Sequence, residues 1–245
     1  MISNFLQAVS FLTIFPVPVH KESGLEKAMF FFPLVGFLLG VLSIGLAHFI
    51  SLDVFVNLHA LALVTFPILF TRALHLDGFA DFCDGFFCGK GKEEILRIMK
   101  DSRIGVFGAA GVFLLIFWKW QLLTSIPGRG VALLLALTAS RWSSVVLAYF
   151  LPYAGIGPGL GEAVAKKVTL KELAGATAFL SVLVLFLKGP GVICFLALLP
   201  FLAGAGFLFK KKMGGITGDL LGAATEATEL FIFFALFMIK TATRL

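Results

Sequence analysis

Apolar stretches of roughly 20 residues recur along the chain, divided by short polar ones, and this alternation predicts an all-α, polytopic integral membrane protein. Seven spans are predicted, at about Met29–Ile50, Val54–Leu74, Ile104–Leu123, Val131–Leu151, Leu173–Leu187, Val192–Phe209 and Leu220–Ile239. Residues 1–19 are apolar but too short to cross, and Phe15-Pro16-Val17-Pro18 closes them. That pattern predicts an interfacial or re-entrant segment. With no basic stretch ahead of it and prolines within it, the segment does not read as a cleaved signal peptide. Residues 88–103 are the most polar part of the chain, yet Ile95, Ile98 and Met99 recur at helical spacing. This predicts a cytoplasmic surface helix lying along the membrane. No internal repeat or low-complexity linker divides the chain, so residues 1–245 read as a single membrane-embedded domain.

Composition supports the membrane reading. Of 245 residues, 59% are hydrophobic and only 14% charged, where a soluble domain carries about one quarter. The balance of 20 Lys and Arg against 14 Asp and Glu does not call for nucleic acid, because membrane proteins concentrate cations in cytoplasmic loops. Seven spans would put Lys21, Lys27, Lys90, Lys92, Arg97, Lys100, Arg103, Lys166, Lys167, Lys171 and Lys210 to Lys212 on one side. The other side would receive only Arg129, Lys188, Lys240 and Arg244. The richer side is therefore expected to be cytoplasmic, in an inner membrane. Cys83, Cys88 and Cys194 are odd in number and lack paired metal spacing, so neither a disulfide framework nor a zinc site is indicated.

Candidate chemistry concentrates in His75-Leu76-Asp77-Gly78-Phe79-Ala80-Asp81-Phe82-Cys83-Asp84-Gly85. On a helix Asp77, Asp81 and Asp84 fall within a sector of roughly 60°. Acids clustered among phenylalanines repel one another and need cations, and Mg²⁺ suits carboxylates that share it with substrate phosphates. The alternative is a solvated acidic helix end. Arg72, Lys100 and Arg103 are placed to grip phosphate, with Asp101 and Ser102 between the last two. His75 would act as a base or phosphate donor, or simply as an interfacial residue. Arg141 lies inside a span and needs a partner, for which Glu226 and Glu229 are the candidates. Lys119 reads as a side chain snorkelling to the interface. Gly214, Gly215 and Gly218 precede a helix start and would let backbone amides approach an anion, although Thr217 or Asp219 would serve equally as an N-cap. If Asp219, Glu226 and Glu229 face the first three acids, all six would line one cavity. Glu226 would then hold either Arg141 or a metal-bound water.

Three long stretches, HLDGFADFCDGFF (75–87), ILRIMKDSRIGVFG (95–108) and GGITGDLLGAATEATEL (214–230), resemble the signatures of the cobalamin synthase (adenosylcobinamide-GDP ribazoletransferase) family. FLTIFPVPV (11–19), FPLVGFLLG (32–40) and Ser140-Arg141 extend the likeness over almost the whole chain. Ile14 departs from it, since the family often carries Arg there. The resemblance implies a Mg²⁺-dependent transfer in the membrane. A hydroxyl of α-ribazole, or of α-ribazole 5′-phosphate, attacks the phosphoryl group on cobinamide in adenosylcobinamide-GDP, and GMP leaves. It places the family's Asp-rich motif on Asp77, Asp81 and Asp84 as metal ligands. The implied partners are those two substrates and the lipid bilayer; a homo-oligomer is compatible with the pattern but not required by it. Two other readings are a transferase using a CDP-linked donor and a cation transporter built on Asp77, Glu226 and Glu229. The first would want Arg in place of Asp81, and the second would want its acids near the bilayer midplane.

Overall fold

The structure is a computed structural model, and it describes residues 1–18, 24–49, 55–89, 91–155, 157, 160–165 and 167–243. Ile50, Val54, Lys21, Lys90, Lys166 and Arg244 lie outside the described residues. Among those described there are twelve α-helices: α1 (Ile2–Leu12), α2 (Leu25–Ala28), α3 (Phe32–Phe49), α4 (Val56–Phe70), α5 (Leu74–Phe86), α6 (Lys92–Met99), α7 (Val106–Ser125), α8 (Arg129–Phe150), α9 (Leu160–Val164), α10 (Leu170–Phe186), α11 (Lys188–Met213) and α12 (Gly218–Ala242). A 3₁₀ turn over Met29–Phe31 joins α2 to α3. The fold is all-helical and polytopic, as the apolar pattern predicts.

Among the described residues, fewer than seven helices are long and apolar enough to cross a membrane. Five helical stretches are long and apolar enough to cross: Leu25–Phe49, Val106–Ser125, Arg129–Phe150, Lys188–Met213 and Gly218–Ala242. A sixth exists only if α4 and α5 count together, and they are bent by 92°. The expected span over 54–74 is therefore broken near its end. Arg72 and Ala73 take positive φ values of 54° and 55°, and the Ala73 amide donates to Ile68 O at 2.8 Å, which stops α4 and redirects the chain. α10 is 17 residues long, about 25 Å, which is short of a full hydrocarbon crossing. Its start is well defined, because Thr169 and Glu172 form a reciprocal capping box. α1 has 11 residues and is too short to span, in keeping with an interfacial or re-entrant segment.

α8 is the central helix, with 17 of its 22 residues buried. α3 lies along it at glycine distance: a Cβ on Gly36 would stand 2.3 Å from Leu137 O, and one on Gly40 would stand 2.5 Å from Leu134 Cα. Small residues four apart allow this close approach. Phe113, Leu114 and Trp118 of α7 and Ile193, Leu196 and Phe207 of α11 point outward, toward lipid rather than water. α6 behaves as an amphipathic surface helix, but its apolar face is not spent on lipid. Ile95 and Met99 are buried against Gly85 of α5, where a Cβ would lie 2.7 Å from Met99 Cγ.

The chain's polar ends gather at two levels. Lys212 Nζ donates to Phe86 O at 2.7 Å, joining the ends of α11 and α5. At the far end of α7, Lys240 donates to Ser125 O and Arg129 to Leu123 O. Twenty residues of α7 separate the two levels, about 30 Å.

Candidate active site

The bend at Arg72 and Ala73 sets α5 running with His75, Asp77, Asp81 and Asp84 over its length. Asp77 is exposed, while Asp81 and Asp84 are half-buried. The first turn of α12 lies directly on this helix. A Cβ on Gly78 would stand 2.9 Å from Asp219 Cα, so only glycine leaves room for Asp219 beside Asp77. Asp219 and Asp77 act on one another electrostatically, and both act on Asp81. Gly222, one turn further along α12, approaches His75 in the same way, with a Cβ 3.1 Å from His75 O.

Asp84 is engaged differently. Its two oxygens accept from the Gly105 amide at 2.7 Å and the Gly108 amide at 2.8 Å, the orphan donors at the start of α7. A Cβ on either glycine would come within 2.3 Å of a carboxylate oxygen. These two glycines open the space in which a side chain from another helix caps α7.

A cavity of about 270 Å³ opens where these elements meet. Its polar lining includes His75, Asp77, Lys100, Ser144, Tyr153, Thr217 and Asp219, with Phe11, Leu25, Met29 and Phe32 on the apolar side. Thr217 caps α12, its hydroxyl accepting from the Leu220 amide at 3.2 Å. The residues before it are held by the 152–154 strand-like segment: Ile216 N donates to Pro152 O at 2.8 Å and Ala154 N to Ile216 O at 2.9 Å. Gly214 closes α11 with φ +82°, and Gly215 lies so close to Pro152 that a Cβ would stand 2.0 Å from its carbonyl. These two glycines thus serve the chain reversal, and of the three only Gly218 lines the cavity. His75 is 7% exposed, and its Nδ1 has no hydrogen-bond partner. Tyr153 donates to Gly157 O at 2.9 Å, and burial, with Glu162 and Asp219 nearby, raises its phenol pKa. Tyr153 and Ser144 were not singled out in the sequence; no spacing or motif marks them, and only the chain's return places them here.

The remaining basic candidates stand outside the cavity. Arg72 donates to Ser10 O at 3.2 Å. Arg103 pairs with Asp101 at 2.7 Å beside exposed Ser102, and that hydrogen bond holds the Asp101 carboxyl down to about 2. Lys100 alone of this turn lines the cavity, where it acts electrostatically on Asp219.

Arg141, Glu226 and Glu229 lie deeper, and they correct two expectations. Arg141 does pair with Glu229, and Ser140 supports both. Lys119 does not snorkel. It is 5% exposed and donates to Glu229 at 2.7 Å and to Glu226. A lysine two-thirds along a helix in hydrocarbon has no near interface to reach, and two carboxylates facing it satisfy the charge instead. Glu226 therefore holds Lys119 rather than Arg141. The six acids do not share one cavity, since Asp219 joins the α5 acids while Glu226 and Glu229 are consumed in a neutral quartet two turns away. A transporter reading loses two of its three acids, Glu226 and Glu229, to the same ion pairs.

Among the described residues, no three His, Cys, Asp or Glu side chains converge closely enough to hold a metal ion by themselves. Asp77 and Asp219, with Asp81 beside them, fit a lesser demand: Mg²⁺ uses one or two carboxylates and completes its shell with substrate phosphates and water. Fold and site together define a polytopic membrane protein whose hard carboxylates, histidine and lysine converge on one cavity, the equipment of phosphoryl chemistry. The chain belongs to the cobalamin-5-phosphate synthase family, which it matches over residues 4–237. Similar proteins include the adenosylcobinamide-GDP ribazoletransferases of Chlorobium phaeobacteroides (strain BS1), 36% identical over 94% of this chain and 95% of that one, and of Prosthecochloris aestuarii, 36% identical over 95% and 96%. That of Klebsiella pneumoniae (strain 342) is 35% identical over 96% of this chain and all of its own. No solved structure matches.

Proposed function

We propose that this protein transfers the adenosylcobinamide-phosphate group from adenosylcobinamide-GDP to α-ribazole or its 5′-phosphate, releasing GMP. The ribose hydroxyl of the acceptor attacks the phosphorus that carries cobinamide. The P–O bond to the GMP phosphate breaks, and the hydroxyl proton is lost. The observation that carries this reading is the meeting of Asp77 and Asp219 across Gly78 in a cavity that also holds His75 and Lys100.

Mg²⁺ would be held by Asp77 and Asp219 with Asp81 behind them, and when bound it supplies neutralisation of diphosphate charge. Lys100 attracts the diphosphate, and the Thr217 turn at the α12 N-terminus presents backbone amides toward it. His75, which lines the cavity, accepts the proton of the attacking hydroxyl. The apolar wall of Phe11, Met29 and Phe32 limits water, which would otherwise compete as acceptor. At about 270 Å³ the cavity is at the small end for ligand sites of roughly 300–1,000 Å³. It suits the diphosphate and ribose, while the corrin ring and guanine extend over the surface.

The cavity is lined by Met99 and Lys100 at the end of α6, among the loop cations, which supports a cytoplasmic site in the inner membrane. The test is direct. Purified protein mixed with adenosylcobinamide-GDP, α-ribazole and Mg²⁺ should release GMP; a CDP-linked donor should give none. Absence of GMP with each component supplied would remove the proposal.

A further inference from the structure

α7 is fastened at two points, and between them it connects the two helices that build the cavity. Its N-terminus is held by Asp84 of α5 through the Gly105 and Gly108 amides. Fourteen residues after Gly105, about 20 Å along the axis, Lys119 binds Glu226 and Glu229 of α12. Seven residues before Glu226, about 10 Å away, α12 carries Asp219, which lies over Gly78 of α5. The three helices form a closed triangle. Two of its corners are charged and directional; the third, where α12 meets α5, is a close approach of backbone at Gly78 and Gly222.

We infer that Lys119 is a positioning residue whose ion pairs with Glu226 and Glu229 set the axial register of α12, and with it the place of Asp219 beside Asp77. The inference rests on the reading that the Asp77–Asp219 cavity carries the reaction. The glycine contacts at Gly78 and Gly222 let α12 approach α5 closely but carry no charged or directional bond across the interface. A charged corner does select a register. Shifting α12 by one turn would carry one of the two carboxylates away from both cations and leave it unpaired in a medium of low dielectric. Arg141 of α8 balances the second acid, so the quartet is neutral and fully buried, and only the geometry seen here pairs all four groups. A helix transmits that register rigidly to its first turn.

The double variant Lys119→Met/Glu226→Gln tests this, since it keeps Arg141 paired with Glu229 and leaves no unpaired charge. Thermal unfolding of the full chain in lipid nanodiscs should stay close to that of the unaltered protein. GMP release should nonetheless fall on the order of a hundredfold, the loss that a misplacement of about 1 Å produces. KM for adenosylcobinamide-GDP should stay within about twofold, as expected where transition-state geometry is lost rather than binding. Amide hydrogen exchange at 218–222 should quicken by roughly tenfold without substrate present. Lys119→Arg carries the test if the double variant does not insert: it keeps the charge, but its longer planar head shifts the contact, so turnover should fall while stability holds. Unaltered turnover together with unaltered protection of 218–222 in either folded variant would overturn the inference, leaving the quartet as charge compensation alone. Should the unaltered protein release no GMP, the functional reading fails instead, and the exchange measurement still decides the register.

Discussion

The aspartates around the cavity do different jobs, and substitution by Asn separates them. Asp77 and Asp219 meet in the cavity without serving as caps of backbone amides elsewhere, so Asp77→Asn or Asp219→Asn should lower turnover by orders of magnitude and leave thermal stability nearly unchanged. Asp84 accepts from two amides at once, and an Asn carboxamide offers one oxygen in place of two. Asp84→Asn should therefore cost about 1 kcal/mol of stability, as expected for the loss of one hydrogen bond to a charged acceptor near the surface. Gly108→Ala should reproduce that loss by occupying the space of the carboxylate, and the double variant should lose little more than either single one. Unfolding curves of the four proteins check the set. Strict additivity of Asp84→Asn and Gly108→Ala would show that the two residues do not share one interaction.

At the scale of elements, the break between α4 and α5 decides the most. Arg72 and Ala73 stand in the left-handed region without a glycine between them, which costs about 1–2 kcal/mol per residue. Ala73→Gly should relieve about 1 kcal/mol and raise the unfolding temperature with turnover intact. Ala73→Pro cannot adopt φ 55° and removes the donor to Ile68 O, so it should abolish the bend and the activity together. A Pro variant with normal turnover would mean that the bend does not place the acids. An unbroken span was expected over 54–74 because those residues are mostly apolar, Asn57, His59 and Arg72 excepted, and neither Arg72 nor Ala73 is a residue that announces a left-handed turn.

For the molecule as a whole, the two polar levels should lie on opposite sides of the membrane. Lys92 Nζ would stand 3.4 Å from a Cβ on Gly214, so the α6 and α11 ends share one level, while Ser125, Arg129 and Lys240 share the other. Single cysteines placed at 92 and 128 in a cysteine-free background should differ in labelling by an impermeant reagent added from outside. We expect position 128 to react and position 92 to be protected. The reverse pattern would place the cavity outside and end the cytoplasmic proposal, although the fold would stand.

Much of this was fixed by local sequence. Apolar runs of about 20 residues have few ways to satisfy their backbone in lipid other than as helices, so an all-helical membrane fold follows from composition and pattern alone. The spacing of Asp77, Asp81 and Asp84 on one helix is likewise a property of the chain, as is the need of Arg141 for an acid such as Glu229. Tertiary structure decided what each charged group faces. Lys119 and Glu226 are 107 residues apart, and Asp84 and Gly105 are 21 apart. No periodicity relates such positions, because their meeting depends on how helices cross and at what register. That is why Lys119 read as a snorkelling side chain and six acids as a single cluster. A local pattern tells which face of a helix a charge occupies; only packing in a low-dielectric medium, where every buried charge must find its counterpart, tells which partner it meets.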